Sequence, residues 1–180
     1  MTHNKTLQKA DKLTDILNPA IHHWANGNGT LYNNFFPTVK SGLQWLTEQY
    51  EEQSGISLEF KNGKGSVDVD RDINFLIFHA TQALLTAIYE HGTAENILVS
   101  IESTGHNIKV SIEDDGEGFD VSDSNALMAY SEEHSLKGLN EELKLFGGRL
   151  DVESREDEGT RVTIFVPPYA AENCGTRMIM

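Results

Sequence analysis

The sequence is poor in cysteine and in long apolar runs, and each shortage removes a class of protein. Cys174 is the single cysteine among 180 residues, so no disulfide can form within the chain, and we expect a cytoplasmic location. No apolar run approaches the ~18 residues that a membrane-spanning helix needs. The N-terminal residues lack the apolar core of a signal peptide. We therefore expect a protein that is not embedded in a membrane.

Basic residues are also scarce. The chain has 14 lysines and arginines against 28 aspartates and glutamates, which gives a formal net charge of −14. Nucleic acids and anionic membranes are bound through basic patches, so neither is an expected partner. Any phosphate site would have to be built locally from glycines, helix N-termini or a few lysines. Acidity of this kind is most often a solubility feature.

The order of apolar and turn residues predicts three segments. Residues 1–54 contain two helical patterns, over about 6–25 and 31–53, with Pro37 as an alternative start of the second. We interpret them as an N-terminal helical hairpin. Residues 55–168 are expected to form the main domain, and residues 169–180 a loose tail.

The main domain alternates between strand and helix patterns. The predicted strands cover 56–60, a short edge strand at 66–70, 96–102, 107–113, 149–153 and 160–166. A long helix capped by Asp72 is expected over 73–91, and a shorter helix over 139–146. The polar stretch 120–137 is predicted to be a mobile loop. This order favours an α+β fold, a mixed sheet with helices on one face.

The most informative motif is Asp-Asp-Gly-Glu-Gly-Phe at 114–119. It follows an alternating strand, so the strand would deliver the Asp114 carboxylate to one end of the sheet. A carboxylate there can accept a hydrogen bond from an exocyclic amine. Gly116 and Gly118 would let the backbone pass close to a ligand, since glycine lacks a Cβ atom. The motif is typical of a purine site, although alone it is weak.

Residues 55–168 resemble the ATP-binding domain of sensor histidine kinases, which shares its fold with gyrase B and MutL. Four segments in the family's order carry the resemblance: 42–56, 114–119, 138–150 and 159–167. They are most similar to the nitrate-sensor and DesK-like branch. The resemblance implies a Bergerat-type two-layer sandwich of sheet and helices.

The resemblance also implies a nucleotide site with ATP or ADP as its candidate ligand. Asp114 would accept a hydrogen bond from the adenine amine, Gly116 and Gly118 would shape the pocket, and Thr160 would contact the purine through a water molecule. Lys137 and Gly138 complete the expected set on the phosphate side. Residues 120–137 would form the lid over the phosphates.

The long helix departs from the family at three positions. Gln82 and His91 match the family and fix the register, so Ala83 replaces a base-like glutamate and Ala87 replaces the magnesium-ligating asparagine. Glu90 replaces a lysine. An alanine offers neither a metal ligand nor a titratable group, which argues against magnesium and against catalysis. The other reading of both alanines is helix packing.

Three further features bear on catalysis. A register shifted by one would place the oxygen-bearing Gln82 and Thr86 in those roles, but it would rotate the helix by about 100° and bury the wrong face. The lid ends in Glu133-His-Ser-Leu-Lys-Gly138, where the family has more glycine. His22 and His23 lack the following carboxylate of a phosphoacceptor, so we interpret them as ordinary helix residues.

Three functions remain open at this point. The first is a catalytically degenerate regulatory module of two-component signalling that binds nucleotide weakly or not at all. The second is an active kinase domain that uses a separate phosphoacceptor. The third is an anti-sigma-type serine kinase. The first implies a response regulator or a kinase as protein partner, and the N-terminal helices could pair with those of a second copy.

Overall fold

The computed structural model describes residues 36–63, 67–91, 93–121 and 136–169. The predicted first helix, His22, His23, most of the predicted lid and most of the tail lie outside these ranges. The described elements in chain order are α1 (Val39–Ser54), β1 (Ser57–Asn62), α2 (Arg71–His91), β2 (Asn96–Ser103), β3 (Ile108–Asp114), α3 (Leu136–Leu145), β4 (Arg149–Ser154) and β5 (Thr160–Val166).

Helix α1 has a well-defined start and end. Thr38 and Ser41 form a capping box, in which each side chain accepts a hydrogen bond from the backbone amide of the other. Gly55 ends the helix in the left-handed conformation, with φ of 74°. The helix therefore begins just after Pro37, the alternative start that the sequence offered, and not at residue 31.

Helix α2 is the central packing element. Its cap is Asp70, whose Oδ1 accepts from the Ile73 amide at 2.9 Å, so the prediction of Asp72 as the cap was wrong. Ile73, Ile77 and Leu84 are buried in the hydrophobic core. The adjoining side of α2 faces α1, where the Tyr50 hydroxyl donates to the Leu85 carbonyl at 2.6 Å.

The five strands form one mixed sheet in the order β1-β2-β3-β5-β4. β1 runs parallel to β2, and the other neighbouring pairs are antiparallel. Because side chains alternate along each strand, the fully buried residues share one face and join the helices in a single core: Val99, Ile101, Val110, Ile112 and Ile164. The α+β prediction, with helices on one face of a mixed sheet, is confirmed.

Two further expectations were wrong in detail. Residues 67–70 form no strand, although Val67 is buried against the core and Val69 is half-buried. The Asp70 amide donates a hydrogen bond to the Pro168 carbonyl, but this bond is not part of a strand pair. Helix α3 begins at Leu136, three residues before the prediction, because Gly138 is tolerated inside it. Within the described ranges, no helix is long and apolar enough to cross a membrane.

Candidate functional site

Asp114 and Thr160 meet at one end of the sheet. β3 ends at Asp114, β5 begins at Thr160, and the two residues are cross-strand partners. Asp114 is half-buried, and its Oδ1 accepts a hydrogen bond from the Gly116 amide at 2.9 Å. Thr160 is buried. Both residues line a cavity of about 630 Å³, a volume in the usual range for small-molecule sites.

The surroundings of Asp114 act on its pKa in opposite directions, with a net rise. Burial raises the pKa of Asp114, and the negative charge of Asp115 raises it further. Hydrogen bonds from the backbone amides of Gly116 and Thr160 oppose this shift. The carboxyl group is thus held in place by amides while being partly withdrawn from water.

Gly118 and Gly159 allow two turns to pack closely against each other. Gly118 has φ of 64°, and a Cβ atom there would overlap the Arg155 carbonyl oxygen in the β4–β5 turn. Gly159 has φ of 78°, and a Cβ atom there would overlap the Asp114 carbonyl oxygen. The Asp157 amide donates to the Glu117 carbonyl at 2.6 Å. The β4–β5 turn is therefore docked on the loop that follows β3.

Gly116 has a different role from Gly118. A Cβ atom at Gly116 would lie 3.0 Å from Asp114 Oδ1 and 3.3 Å from the Ala94 amide nitrogen. The missing side chain leaves room for the Gly116 amide to reach the carboxylate. Among the described residues that line the 630 Å³ cavity, Gly159 is present, whereas Gly116 and Gly118 are not.

Ser154 joins the elements that surround the cavity, and the sequence analysis missed it. Its Oγ accepts from the Phe119 amide at 2.9 Å and donates to the Gly159 carbonyl at 3.0 Å. The Thr160 hydroxyl lies 2.9 Å away, and it must be the donor if Ser154 uses its single proton on Gly159. The available signal was strand alternation, which puts Ser154 directly opposite Thr160 in the β4–β5 ladder.

Asp115 fixes the end of β3 to the start of β2. Its Oδ1 accepts from the amides of Glu95 and Asn96 at 2.9 and 2.8 Å, and its Oδ2 accepts from Asn96 Nδ2 at 2.7 Å. The hydrogen bonds from Asn96 hold the pKa of Asp115 below its usual range. Asp115 is thus a positioning residue for Asp114, and its place directly after the strand was the signal for it.

Ala83 and Ala87 lie one helical turn apart on the same face of α2. Both are buried, with 6% and 4% of their surfaces exposed, yet neither belongs to the main hydrophobic cluster of the described residues. Glu90 is exposed at the end of the helix. The residues of the alternative register differ: Gln82 is buried with no partner for Oε1 in the described ranges, and Thr86 interacts with Tyr50.

The residues expected on the phosphate side belong to helix α3. Lys137 and Gly138 are exposed in the first turn of α3. Neither is among the described residues that line the cavity. Across the described part of the chain, no group of three or more His, Cys, Asp or Glu side chains could hold a metal ion. Of the predicted site residues, the structure thus brings Asp114 and Thr160 together around one cavity.

Comparison with known proteins supplies the context for this site. The sequence model of the family described as "Histidine kinase-, DNA gyrase B-, and HSP90-like ATPase" matches residues 72–170. The signal transduction histidine-protein kinase/phosphatase DegS of Brevibacillus brevis is 27% identical over 132 residues. The sensor histidine kinase ComP of Bacillus subtilis is 26% identical over 122 residues. These matches cover 73% and 68% of the chain but 32% and 16% of the relatives' lengths.

Solved structures share the fold. The histidine kinase domain of a blue-light activated kinase from Erythrobacter litoralis superposes with a TM-score of 0.61 at 18% identity, covering 73% of the chain and 61% of its own. The ATP-binding domain of PrrB from Mycobacterium tuberculosis superposes with a TM-score of 0.58 at 14% identity, covering 73% of the chain and 94% of its own. At these identities the likeness concerns the fold.

Proposed function

Because the chain belongs to the family of histidine kinase-, DNA gyrase B- and HSP90-like ATPases, we propose that it is a catalytically degenerate member that acts as a regulatory module. Its domain is the histidine kinase-like ATPase domain of two-component sensor kinases. The proposal is that this domain works through protein contacts and binds nucleotide weakly or not at all. The proposal is supported by how well the described residues suit the base, the phosphates and the magnesium ion of a bound nucleotide.

The pair of buried alanines on α2 carries the proposal. Magnesium takes oxygen ligands in near-octahedral geometry, and the Ala87 methyl offers none. A general base needs a titratable group within reach of the proton it removes, and Ala83 has none. Glu90, in place of a lysine, would repel a phosphate chain rather than attract it. Each of the three replacements removes a different requirement of phosphoryl transfer.

The base end and the phosphate end of the site differ in how well they fit a nucleotide. Asp114 supplies an acceptor for an exocyclic amine, beside the buried Thr160 and a cavity of about 630 Å³. On α2, Ala83 and Ala87 supply no oxygen ligand for a bound magnesium ion. The residues therefore fit adenine and do not fit magnesium triphosphate, and we expect no phosphoryl transfer by this chain.

The same proposal divides the chain into three segments. We assign residues 55–168 to the ATPase-like domain, residues 1–54 to a helical segment that includes α1, and residues 169–180 to a tail. The relatives are sensor kinases by name, which makes a response regulator or a kinase the proposed partner in the cytoplasm. Pairing of two copies through residues 1–54 is part of this proposal.

Restoring the missing groups tests the proposal. We expect the double variant Ala83→Glu/Ala87→Asn to gain magnesium-dependent ATP binding and ATP hydrolysis that the parent protein lacks. Ala83→Gln/Ala87→Asn is the matched control, because it supplies the metal ligand but no titratable base. It should gain magnesium-dependent binding by calorimetry and show no hydrolysis of radiolabelled ATP.

Assaying the unmodified protein provides a second test if the variants fail to fold. Polar groups placed at two buried positions cost roughly 1–3 kcal/mol each, so the melting temperature of each variant should be measured first. Magnesium-dependent ATP hydrolysis by the unmodified chain would overturn the proposal without any variant.

A further inference from the structure

The two outer strands of the described sheet each follow directly on a helix. In the order β1-β2-β3-β5-β4, β1 and β4 each have one neighbouring strand. β1 follows α1 across the Gly55 turn, and β4 follows α3 across Gly147 and Gly148. The open side of an edge strand presents backbone amides and carbonyls, which are a template for pairing with a strand of another molecule.

Hydrogen bonds show which backbone amides of β1 point to its open side. The Ser57 amide donates to the Glu95 carbonyl at 3.0 Å, on the side of β2. Because amides alternate in direction along a strand, the amide of Leu58 points away from β2. There it donates to Oε1 of Glu51, a residue of α1, at 3.2 Å.

β4 has the same arrangement at the other end of the sheet. The Leu150 amide donates to Oδ1 of Asn140, a residue of α3, at 3.0 Å. Leu58 and Leu150 are each the second residue of their strand, and each is bonded by a side chain of the helix that precedes the strand. An amide has one proton, so neither amide is free to bond another strand.

This closure shortens the open part of each edge. Each strand has six residues, so alternation points three of them outwards, and closing one leaves two. The next outward residues are Phe60 on β1 and Val152 on β4, both half-buried. Within the described ranges, neither of their amides has a side-chain acceptor. Short edges resist pairing better than long ones.

We propose that Glu51 and Asn140 are edge caps, which keep the sheet from pairing edge to edge with a second copy of the chain. Glu51 closes β1, and Asn140 closes β4. A second copy is the relevant partner because edge pairing is made by backbone groups, and every copy presents the same two edges. Closure of the edges is independent of nucleotide binding, so it goes beyond the proposed function.

Amide hydrogen exchange of the unmodified protein tests whether a cap is formed. Leu150 and Val152 lie on the same strand and are both half-buried, and Leu150 is the capped residue. We expect the Leu150 amide to exchange about tenfold more slowly than the Val152 amide. Asn140→Ala should remove this difference, whereas Asn140→Asp keeps an acceptor oxygen and should retain it.

Loss of both caps tests their role in assembly. Glu51→Ala/Asn140→Ala opens both edges, so sedimentation velocity over a series of concentrations should show larger species than the parent protein forms. The control is Glu52→Ala/Asn107→Ala, which removes the same two side-chain types from positions of matching exposure. Asn107 serves the β2–β3 turn through its backbone carbonyl, so the control should sediment as the parent does.

Pairing through the edges has a signature that other kinds of association lack. A strand added to β1 or β4 accepts hydrogen bonds from the outward amides. The Phe60 and Val152 amides should therefore exchange about tenfold more slowly when Glu51→Ala/Asn140→Ala associates. If the double variant fails to fold, Glu51→Ala and Asn140→Ala are measured alone, since each opens one edge.

Three results would overturn the proposal. Equal exchange of Leu150 and Val152 in the unmodified protein would show that no cap is formed. Sedimentation of the double variant like the parent, even with a lower melting temperature, would show that the two contacts only stabilise the turns between helix and strand. Association that leaves Phe60 and Val152 unprotected would show pairing through another surface. None of these results bears on nucleotide binding, so the proposed function stands or fails separately.

Discussion

At the scale of single residues, Asp114 and Asp115 are adjacent carboxylates in opposite surroundings. Burial raises the pKa of Asp114, whereas hydrogen bonds from Asn96 lower the pKa of Asp115. Asp114 is among the residues that line a cavity of about 630 Å³, and Asp115 ties two strands together. Two neighbouring residues of the same type therefore differ in the direction of their pKa shift and in their hydrogen-bond partners.

The raised pKa of Asp114 predicts a pH-dependent cost to folding. Since the folded protein holds this proton more tightly than the unfolded chain, stability falls as pH rises from the ordinary value of 3.8 through the raised pKa. The asparagine side chain of the Asp114→Asn variant does not titrate, and its oxygen can still accept a hydrogen bond from the Gly116 amide. We expect it to be more stable than the parent at neutral pH, with the difference vanishing below the ordinary aspartate pKa.

Urea unfolding of both proteins across this pH range measures the difference. A constant difference in unfolding free energy at all pH values would show that the Asp114 carboxyl is not penalised by burial. The comparison between the two proteins cancels the titration of the other acidic residues.

Asp115 predicts the opposite response. Asp115→Ala removes three acceptor contacts, to Glu95 and Asn96, and should destabilise the protein by about 1–2 kcal/mol at neutral pH, a modest value because the residue is exposed. Its contribution is present above the ordinary aspartate pKa and is lost as pH falls through the lowered pKa. Asp115→Asn keeps the acceptor oxygen and should cost less than Asp115→Ala in the same urea unfolding experiment. Equal losses for the two variants would contradict the anchoring role.

At the scale of elements, the site depends on the docking of the β4–β5 turn on the loop after β3. Gly159→Ala combines a left-handed backbone with a clash against the Asp114 carbonyl. Gly105→Ala is the matched control, since its φ is +85° but nothing lies within 4 Å of the added carbon. We expect the control to cost about 1–2 kcal/mol and Gly159→Ala roughly 3 kcal/mol or more. Similar unfolding free energies for the two variants would show that the docking is not tightly packed.

Regular elements were the most predictable part of the fold. The strand over 160–166 was predicted to the residue, because alternation reports directly which face of a strand is buried. Residues 67–70 gave the same alternation without forming a strand. Alternation cannot distinguish one-sided packing from pairing, since both bury every second side chain.

Helix ends were less predictable. Asp70 and Asp72 both stand before the apolar face of α2, and the choice between them depends on the path of the preceding chain. The helix was predicted to begin at residue 139, yet it begins at Leu136 and includes Gly138. A glycine within a helix costs about 1 kcal/mol, which burial of Leu136, Leu139 and Leu143 can outweigh.

At the scale of the whole molecule, the sheet has an apolar face covered by helices and a polar face with paired charges. Lys109 pairs with Glu102 on the polar face, and Arg161 bridges β3 and β4 through Glu113 and Glu153. The candidate site lies at one end of this sheet. Its position therefore follows from the strand order.

The candidate site was predictable only where a local motif carried it. The motif at 114–119 located Asp114, and resemblance added Thr160, its strand partner. The pairing of Ser154 with Thr160 was open to prediction from the strand pattern. The hydrogen bond of Ser154 to Phe119 and the docking of Gly118 and Gly159 were not, because these contacts join segments some 40 residues apart in the chain. Their roles depend on tertiary packing rather than on local pattern.

We propose that the chain has lost the magnesium-dependent chemistry of its family, and a titration with ATP distinguishes this proposal from an active ATPase domain. Isothermal titration of the unmodified protein with ATP, in chelator and in excess magnesium, compares the two affinities. We expect ATP to bind weakly or not at all, and magnesium not to strengthen its binding. An affinity that magnesium raises by about tenfold or more would contradict it, since the chain would then supply a metal site despite Ala83 and Ala87.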